Sequence, residues 1–182
     1  MTQARDTRQA QMVEVVTWSL ELTDRAALRA AAEPADPPLL LPALHASPEL
    51  SRFFYGLVGE GWGWTDRLSW TAQRWTAWVD RPEHHLVTAW HEGVPAGYYE
   101  LEQQPAAERP GTVELAYFGL ARHGFGRGWG GWLLTRALHH AWDLPGTRRV
   151  WVHTCSLDHP HALANYEARG LVRFARTRHE PA

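Results

Sequence analysis

Residues 124–131 read GFGRGWGG, five glycines in eight positions, and the amphipathic run WLLTRAL begins directly after them. Glycine costs a helix about 1 kcal/mol per position relative to alanine, so this density calls for a compensating role. A strand, a glycine loop and a helix in succession make an anion site. The first-turn N–H groups of a helix lack internal acceptors, and the helix dipole is positive at that end. Glycines let a phosphate approach the backbone without meeting Cβ atoms. Gly126, Gly128 and Gly131 also satisfy G-x-G-x-x-G, the dinucleotide fingerprint, which requires an acidic residue about 20 positions on. That region here is RRVWVHTC and has no carboxylate, which argues against a nicotinamide-dependent oxidoreductase.

Other chemistry-bearing residues are fewer. Glu114 stands in E-L-A-Y-F-G-L, an otherwise apolar strand in which a carboxylate is stripped of water. Tyr166 stands in N-Y-E-A-R-G-L. His153, Cys155, His159 and His161 are of types that bind zinc, but H-x-C…H-x-H is not a common zinc spacing, and no metal is expected. A strand cysteine is usually a small buried hydrophobe, and no G-x-S-x-G marks a serine hydrolase.

The elements that position these residues follow from periodicity. Residues 13–22, VEVVTWSLEL, read as a strand. A short helical turn and a proline-rich connector lead to LLLPAL (39–44), a strand interrupted by Pro42. Ser47 and Pro48 open a helix over 47–59, and a second helix is predicted over 65–80, stopped by Arg81–Pro82. Strands at 85–90 and 96–103 form a hairpin around a glycine-containing turn, and 111–120 is a third strong strand. Then come a helix over 128–143, a strand over 148–155, a helix over 160–170 closing on Gly170, and a strand over 171–178. The order predicts a mixed α/β domain.

The 182 residues suit one domain, expected to span 12–180 behind a disordered 1–11. A chain this long buries about 70% of its unfolded surface, enough for a core without staples. A net charge of −2 gives no footprint for nucleic acid or an anionic membrane. No apolar run reaches the roughly 18 residues of a membrane span, and the polar N-terminus has no signal-peptide core. The single cysteine fits a reducing, cytoplasmic setting. Eleven tryptophans, several of them between Trp62 and Trp78, suggest a packed aromatic region.

The stretch VELAYFGL…FGRGWGGWLL…ALANYEARGL resembles the GNAT superfamily of acetyl-CoA-dependent N-acetyltransferases. Gly128–Trp129–Gly130 matches the second half of that family's phosphate loop, while Phe125 stands where Gln or Arg is usual. The resemblance implies a mostly antiparallel mixed sheet flanked by helices, and acetyl-CoA as donor. The pantetheine would pair with the strand around Phe118, Gly119 and Leu120. Backbone N–H groups of Phe125, Gly126, Arg127, Gly128, Trp129, Gly130 and Gly131 would hold the pyrophosphate. His159 takes the place of an asparagine that anchors the cofactor in relatives. Glu114 lies at the spacing of the catalytic glutamate of the histone-acetyltransferase branch, and Tyr166 matches the tyrosine that protonates the departing thiolate. The acceptor, a small-molecule or peptide amine, would lie near Trp62, Trp64, Tyr98 and Glu100, where aromatic rings and carboxylates suit a cation.

A base matters most for an alkylamine: at pH 7 a lysine-like amine costs about 4.6 kcal/mol to deprotonate, an α-amine only about 1.4. A non-catalytic acyl-CoA-binding regulator on the same fold would need neither Glu114 nor Tyr166. The family usually ends in two strands after its last helix, and this sequence has room for one. The N-terminal strand is expected to fill the vacancy; the alternative is a second subunit in a homodimer.

Overall fold

The computed structural model describes residues 14–179, so the reading of residues 1–11 lies outside the described residues. In chain order the elements are β1 (Val15–Leu22), a 3₁₀ turn (Arg25–Ala27), β2 (Leu39–Pro42), α1 (Pro48–Gly59), α2 (Ala72–Val79), β3 (His84–His91), β4 (Val94–Gln104) and β5 (Thr112–Leu120). A second 3₁₀ turn (Arg122–Gly124), α3 (Trp129–Asp143), β6 (Arg149–Cys155), α4 (Ala162–Ala168) and β7 (Val172–His179) follow. The strands form one sheet in the order β2-β3-β4-β5-β6-β1-β7. Every pairing is antiparallel except β5 with β6.

The N-terminal strand takes the place anticipated for it. β1 lies between β6 and β7, with Leu20 opposite Val152 and Leu22 opposite Val150. Those side chains point into the main core, where Leu101, Leu115, Leu133 and Leu138 pack between the sheet and α3. Local chemistry explains the connections. The β3–β4 hairpin turns at Glu92 (φ 49°) and Gly93 (φ 80°), two consecutive positive φ values of the kind that match strand twist. Helix α4 ends in a paired cap: Gly170 at φ 98° donates to Glu167 O, and Leu171 donates to Tyr166 O.

The predicted helix over 65–80 is only half formed: α2 starts at Ala72, with Thr71 Oγ1 accepting from Arg74 N as its cap. The residues before it do different work. Arg67, 6% exposed, turns inward, with its guanidinium carbon 3.8 Å from the Trp78 ring centre, 4.1 Å from Tyr117 and 4.5 Å from Trp70. Arg74 covers the Trp70 ring at 4.5 Å and Arg81 the Trp78 ring at 4.4 Å, so guanidinium and indole alternate through five residues. Glu100, 1% exposed, anchors the stack. It accepts from Ser51 Oγ and from Trp78 Nε1 (2.8 Å), and lies 3.3 Å from His84 Nε2 and 3.6 Å from Arg67 Nη1. Burial pushes the Glu100 carboxyl up, but His84, Arg67 and Ser51 together hold it below the usual carboxylate range.

Three outcomes follow for stability. Leu20→Ala, at a fully buried site, lowers unfolding free energy by about 2–5 kcal/mol in urea titration. Deletion of residues 1–24 gives insoluble or unfolded chain; a soluble, cooperatively folding monomer would contradict the role given to β1. Glu100→Ala strands the buried Arg67 guanidinium and costs about 3–5 kcal/mol by the same measurement. Because the folded-state pKa of Glu100 is depressed, its contribution is complete above the unfolded value of about 4.3 and is lost as pH falls below it.

Candidate active site

β5 and β6 pair only from Thr112 opposite Arg149 to Glu114 opposite Trp151. Beyond that point β5 continues to Leu120 bonded to β4, while β6 continues to Cys155 bonded to β1, and the two strands part. The wedge between them opens into a cavity of about 950 Å³. Its walls are residues 115–120 on one side and Val152, His153 and Cys155 on the other, with Tyr166 and Asn165 of α4 lining it as well.

The glycine loop lies at one end of the cavity. Gly126 and Gly128 have φ of 76° and 77°, in the left-handed region that side chains avoid, and Gly128 is the N-cap of α3. Among the described residues, the N–H groups of Gly126, Arg127 and Gly128 have no acceptor, as an anion cradle requires. Phe118, Gly119, Leu120, Phe125, Trp129, Gly130 and Gly131 line the same cavity, and Arg127 stacks over Trp129 at 4.9 Å. Asn165 Nδ2 donates to Gly130 O at 3.3 Å, tying α4 to the first turn of α3. His159 is packed between Phe125 (5.0 Å between ring centres) and Trp62 (4.9 Å); partial burial and neighbouring His161 push its pKa down.

The α1–α2 loop crosses the cavity. Trp62 meets His159, and Trp64 Nε1 donates to Asp158 Oδ1 at 3.1 Å, so this loop touches the β6–α4 loop across the wedge. Asp66 lines the cavity and accepts from Tyr55 (2.6 Å) and Tyr117 (3.0 Å), whose hydroxyls are held protonated chiefly by burial. Asp158 accepts from Thr154 Oγ1 (2.6 Å) and Cys155 N (2.9 Å). Among the described residues no arginine lines the cavity.

Of the four residues expected at the acceptor side, Trp62 and Trp64 line the cavity. Tyr98 and Glu100 do not: they are 0% and 1% exposed beneath α1 and α2, and Glu100 is occupied by the protein's own Arg67 and His84. The cation that Glu100 and the neighbouring indoles hold is the protein's own Arg67.

Tyr166 is 6% exposed, faces the cavity and stacks edge-on to Phe118 at 6.1 Å. Burial, then Asp158, pushes its pKa up, so the hydroxyl stays a donor. Glu114, 9% exposed, sits at the apex of the wedge. Gln104 Nε2 donates to its Oε2 at 2.6 Å, and Trp151 Nε1 in turn donates to Gln104 Oε1 at 3.0 Å. Its other oxygen lies 3.3 Å from His153 Nδ1. His153, Asp158 and Tyr117 are not singled out by the sequence as acceptor-side residues. His153 was noticed only as a metal-ligand type, and among the described residues no group of three His, Cys, Asp or Glu side chains is placed to hold a metal. No described helix is long and apolar enough to cross a membrane.

Known proteins resemble this arrangement. A GCN5-related N-acetyltransferase from Kribbella flavida superposes with a TM-score of 0.60 at 19% identity, covering 92% of this chain and 58% of its own. One from Sphaerobacter thermophilus gives 0.60 at 20% identity, covering 93% and 52%. An aminoglycoside acetyltransferase from an uncultured soil metagenomic sample gives 0.53 at 17% identity, covering 71% and 86%. The chain thus spans little more than half the length of the first two, and at these identities the likeness is one of fold. No curated protein matches the sequence. The profile of the Acetyltransferase (GNAT) family matches residues 46–171, which hold α1 through α4 and the whole cavity, and the chain belongs to that family.

Proposed function

We propose that this protein transfers the acetyl group of acetyl-CoA to a primary amine carried by a cationic acceptor, by direct attack while both are bound. The observation that carries this reading is the wedge between β5 and β6. One cavity joins a glycine-rich helix N-terminus, a strand edge free to pair, and a buried tyrosine. The cradle of Gly126 to Gly131 suits the pyrophosphate, and the free side of β5 from Tyr117 to Leu120 suits the amides of pantetheine. At about 950 Å³ the cavity lies at the upper end of the usual range for ligand sites.

Each residue has a definable part. The amine nitrogen attacks the thioester carbon, the C–S bond breaks, and the thiolate takes a proton. Tyr166, held protonated by burial, can supply that proton or a hydrogen bond to the sulfur. A thiol of pKa about 8.5 leaves readily, so this help is modest. The amine proton leaves toward the wedge apex, where Glu114 and His153 face each other. Asp66 and Asp158 add negative charge to cavity walls that Trp64 and Tyr117 make partly aromatic. That combination attracts an ammonium group on an apolar body.

Calorimetric titration of the full chain with acetyl-CoA, with NADH as control, tests the reading. Acetyl-CoA binds at about micromolar Kd, NADH does not, and Gly128→Glu weakens binding by at least about 100-fold, because it strains φ at 77° and sets a carboxylate against phosphate. Tyr166→Phe keeps acetyl-CoA affinity and lowers kcat about ten- to a hundredfold. Absence of acetyl-CoA binding by folded protein would overturn the assignment.

A further inference from the structure

We propose that His153 is the group that takes the proton from the acceptor amine, and that Glu114 is a positioning residue that orients the imidazole. This rests on the acetyl-transfer reading above and assigns its proton-accepting step to a residue on β6 rather than to the carboxylate on β5.

Four observations support it. First, His153 lines the cavity, whereas Glu114 does not. The Glu114 carboxylate is almost sealed, while the His153 side chain is 52% exposed at the edge of the wedge. Second, both Glu114 oxygens are already engaged. Oε2 accepts from Gln104, itself fixed by Trp151, and Oε1 faces His153 Nδ1. A carboxylate held on two sides beneath an imidazole is built to hold that ring, as an orienting group holds a histidine base.

Third, the contact to Glu114 is made through Nδ1. The tautomer that places the proton there leaves Nε2 as a free acceptor on the opposite side of the ring. The ring is further held by Trp151, at 5.9 Å between centres. Fourth, the surroundings are negative. Glu114 of β5, Asp158 of the β6–α4 loop and Asp66 of the α1–α2 loop all favour the imidazolium, and the hydrogen bond to Glu114 is the largest cause of the raised His153 pKa. The cross-strand neighbour on β1 is the uncharged Ser19. An imidazolium formed on proton transfer is therefore stabilised where it forms.

The step balances without a further reactant. Nε2 takes a proton from the bound ammonium and passes it to solvent; the neutral nitrogen then bonds to the acetyl carbon, and as the C–S bond breaks Nε2 takes its second proton and the thiolate leaves. His153 then returns its proton to solvent, to which the ring is open.

The test measures CoA thiol release from acetyl-CoA with a panel of primary amines including tyramine, on wild type, His153→Ala and Glu114→Gln. Calorimetric acetyl-CoA affinity of each protein is measured in parallel. In the wild type, kcat falls on the acid side as His153 becomes protonated, with an apparent pKa above the ordinary histidine value of about 6.5. His153→Ala lowers kcat at least about 100-fold, removes that acid limb, and regains activity in proportion to added free imidazole base. Glu114→Gln retains a limb, moved to lower pH because the partner that raises His153 is neutralised, with a smaller loss of rate. All three bind acetyl-CoA alike.

The proposal is overturned if His153→Ala keeps the wild-type rate and limb, or if Glu114→Gln removes both while His153→Ala does not. In either case the acetyl-transfer reading stands and the carboxylate meets the amine itself. If the wild type binds acetyl-CoA but releases no CoA with any amine, the acetyl-transfer reading falls and this assignment falls with it.

Discussion

The parting of β5 from β6 after three paired residues is the constraint around which the rest is arranged. Two strands in the middle of a sheet each lose one side of their ladder, and unpaired buried backbone is expensive. The fold solves this separately for each strand. β5 stays paired with β4 from Thr112 to Leu120, with one register shift at Ala116. β6 has only β1 left, and β1 pairs it from Val150 to Cys155. The open wedge therefore depends on a segment from the far end of the sequence, and β7 covers the edge that β1 would otherwise expose. A ligand adding its own amides to the free side of β5 would complete the ladder, and the defect in the sheet would then be the binding site proposed above.

The aromatic region solves a different problem, that of holding a loop in place above the sheet. Trp70, Trp78 and Tyr117 enclose Arg67, and Glu100 neutralises it from below. Taking a guanidinium and a carboxylate out of water is costly. It is offset here by several contacts to each charge rather than by one ion pair. The arrangement fixes Arg67, and its chain neighbour Asp66 is pinned by Tyr55 and Tyr117 at the cavity wall. Most of the tryptophan content thus serves the scaffold, and among the described residues Trp62, Trp64 and Trp129 line the cavity.

What was legible in the sequence was mainly what depends on near neighbours. The strand at 13–22, the hairpin, the glycine N-terminus of α3 and the Gly170 cap of α4 all rest on local periodicity or backbone chemistry, and each is present within a residue or two of its expected place. The helix expected over 65–80 was not, because the side chain of Arg67 finds Glu100 on β4, a partner that no local pattern reveals. The same limit hid the contact of His153 with Glu114. Glu114 was conspicuous as a charge in an apolar strand, but its facing imidazole comes from β6, and only the short parallel pairing brings the two together. Composition identified cation-binding aromatics and carboxylates, yet could not tell a cage filled from within from a wall left open.

The open wall has a consistent electrostatic sense. One end of the cavity offers backbone N–H groups and a helix N-terminus to phosphates, and the other gathers Glu114, Asp66 and Asp158 around His153. A donor rich in negative charge and an acceptor bearing positive charge would be sorted to opposite ends, with the thioester between them. The rest of the sequence fits this division. It contains no lysine, so all eighteen of its Lys-plus-Arg positions are arginine. A guanidinium remains protonated at any physiological pH and offers no lone pair to a thioester. Each arginine that clamps the scaffold is thus chemically inert toward a thioester, and this sequence has no ε-amine to compete with an acceptor.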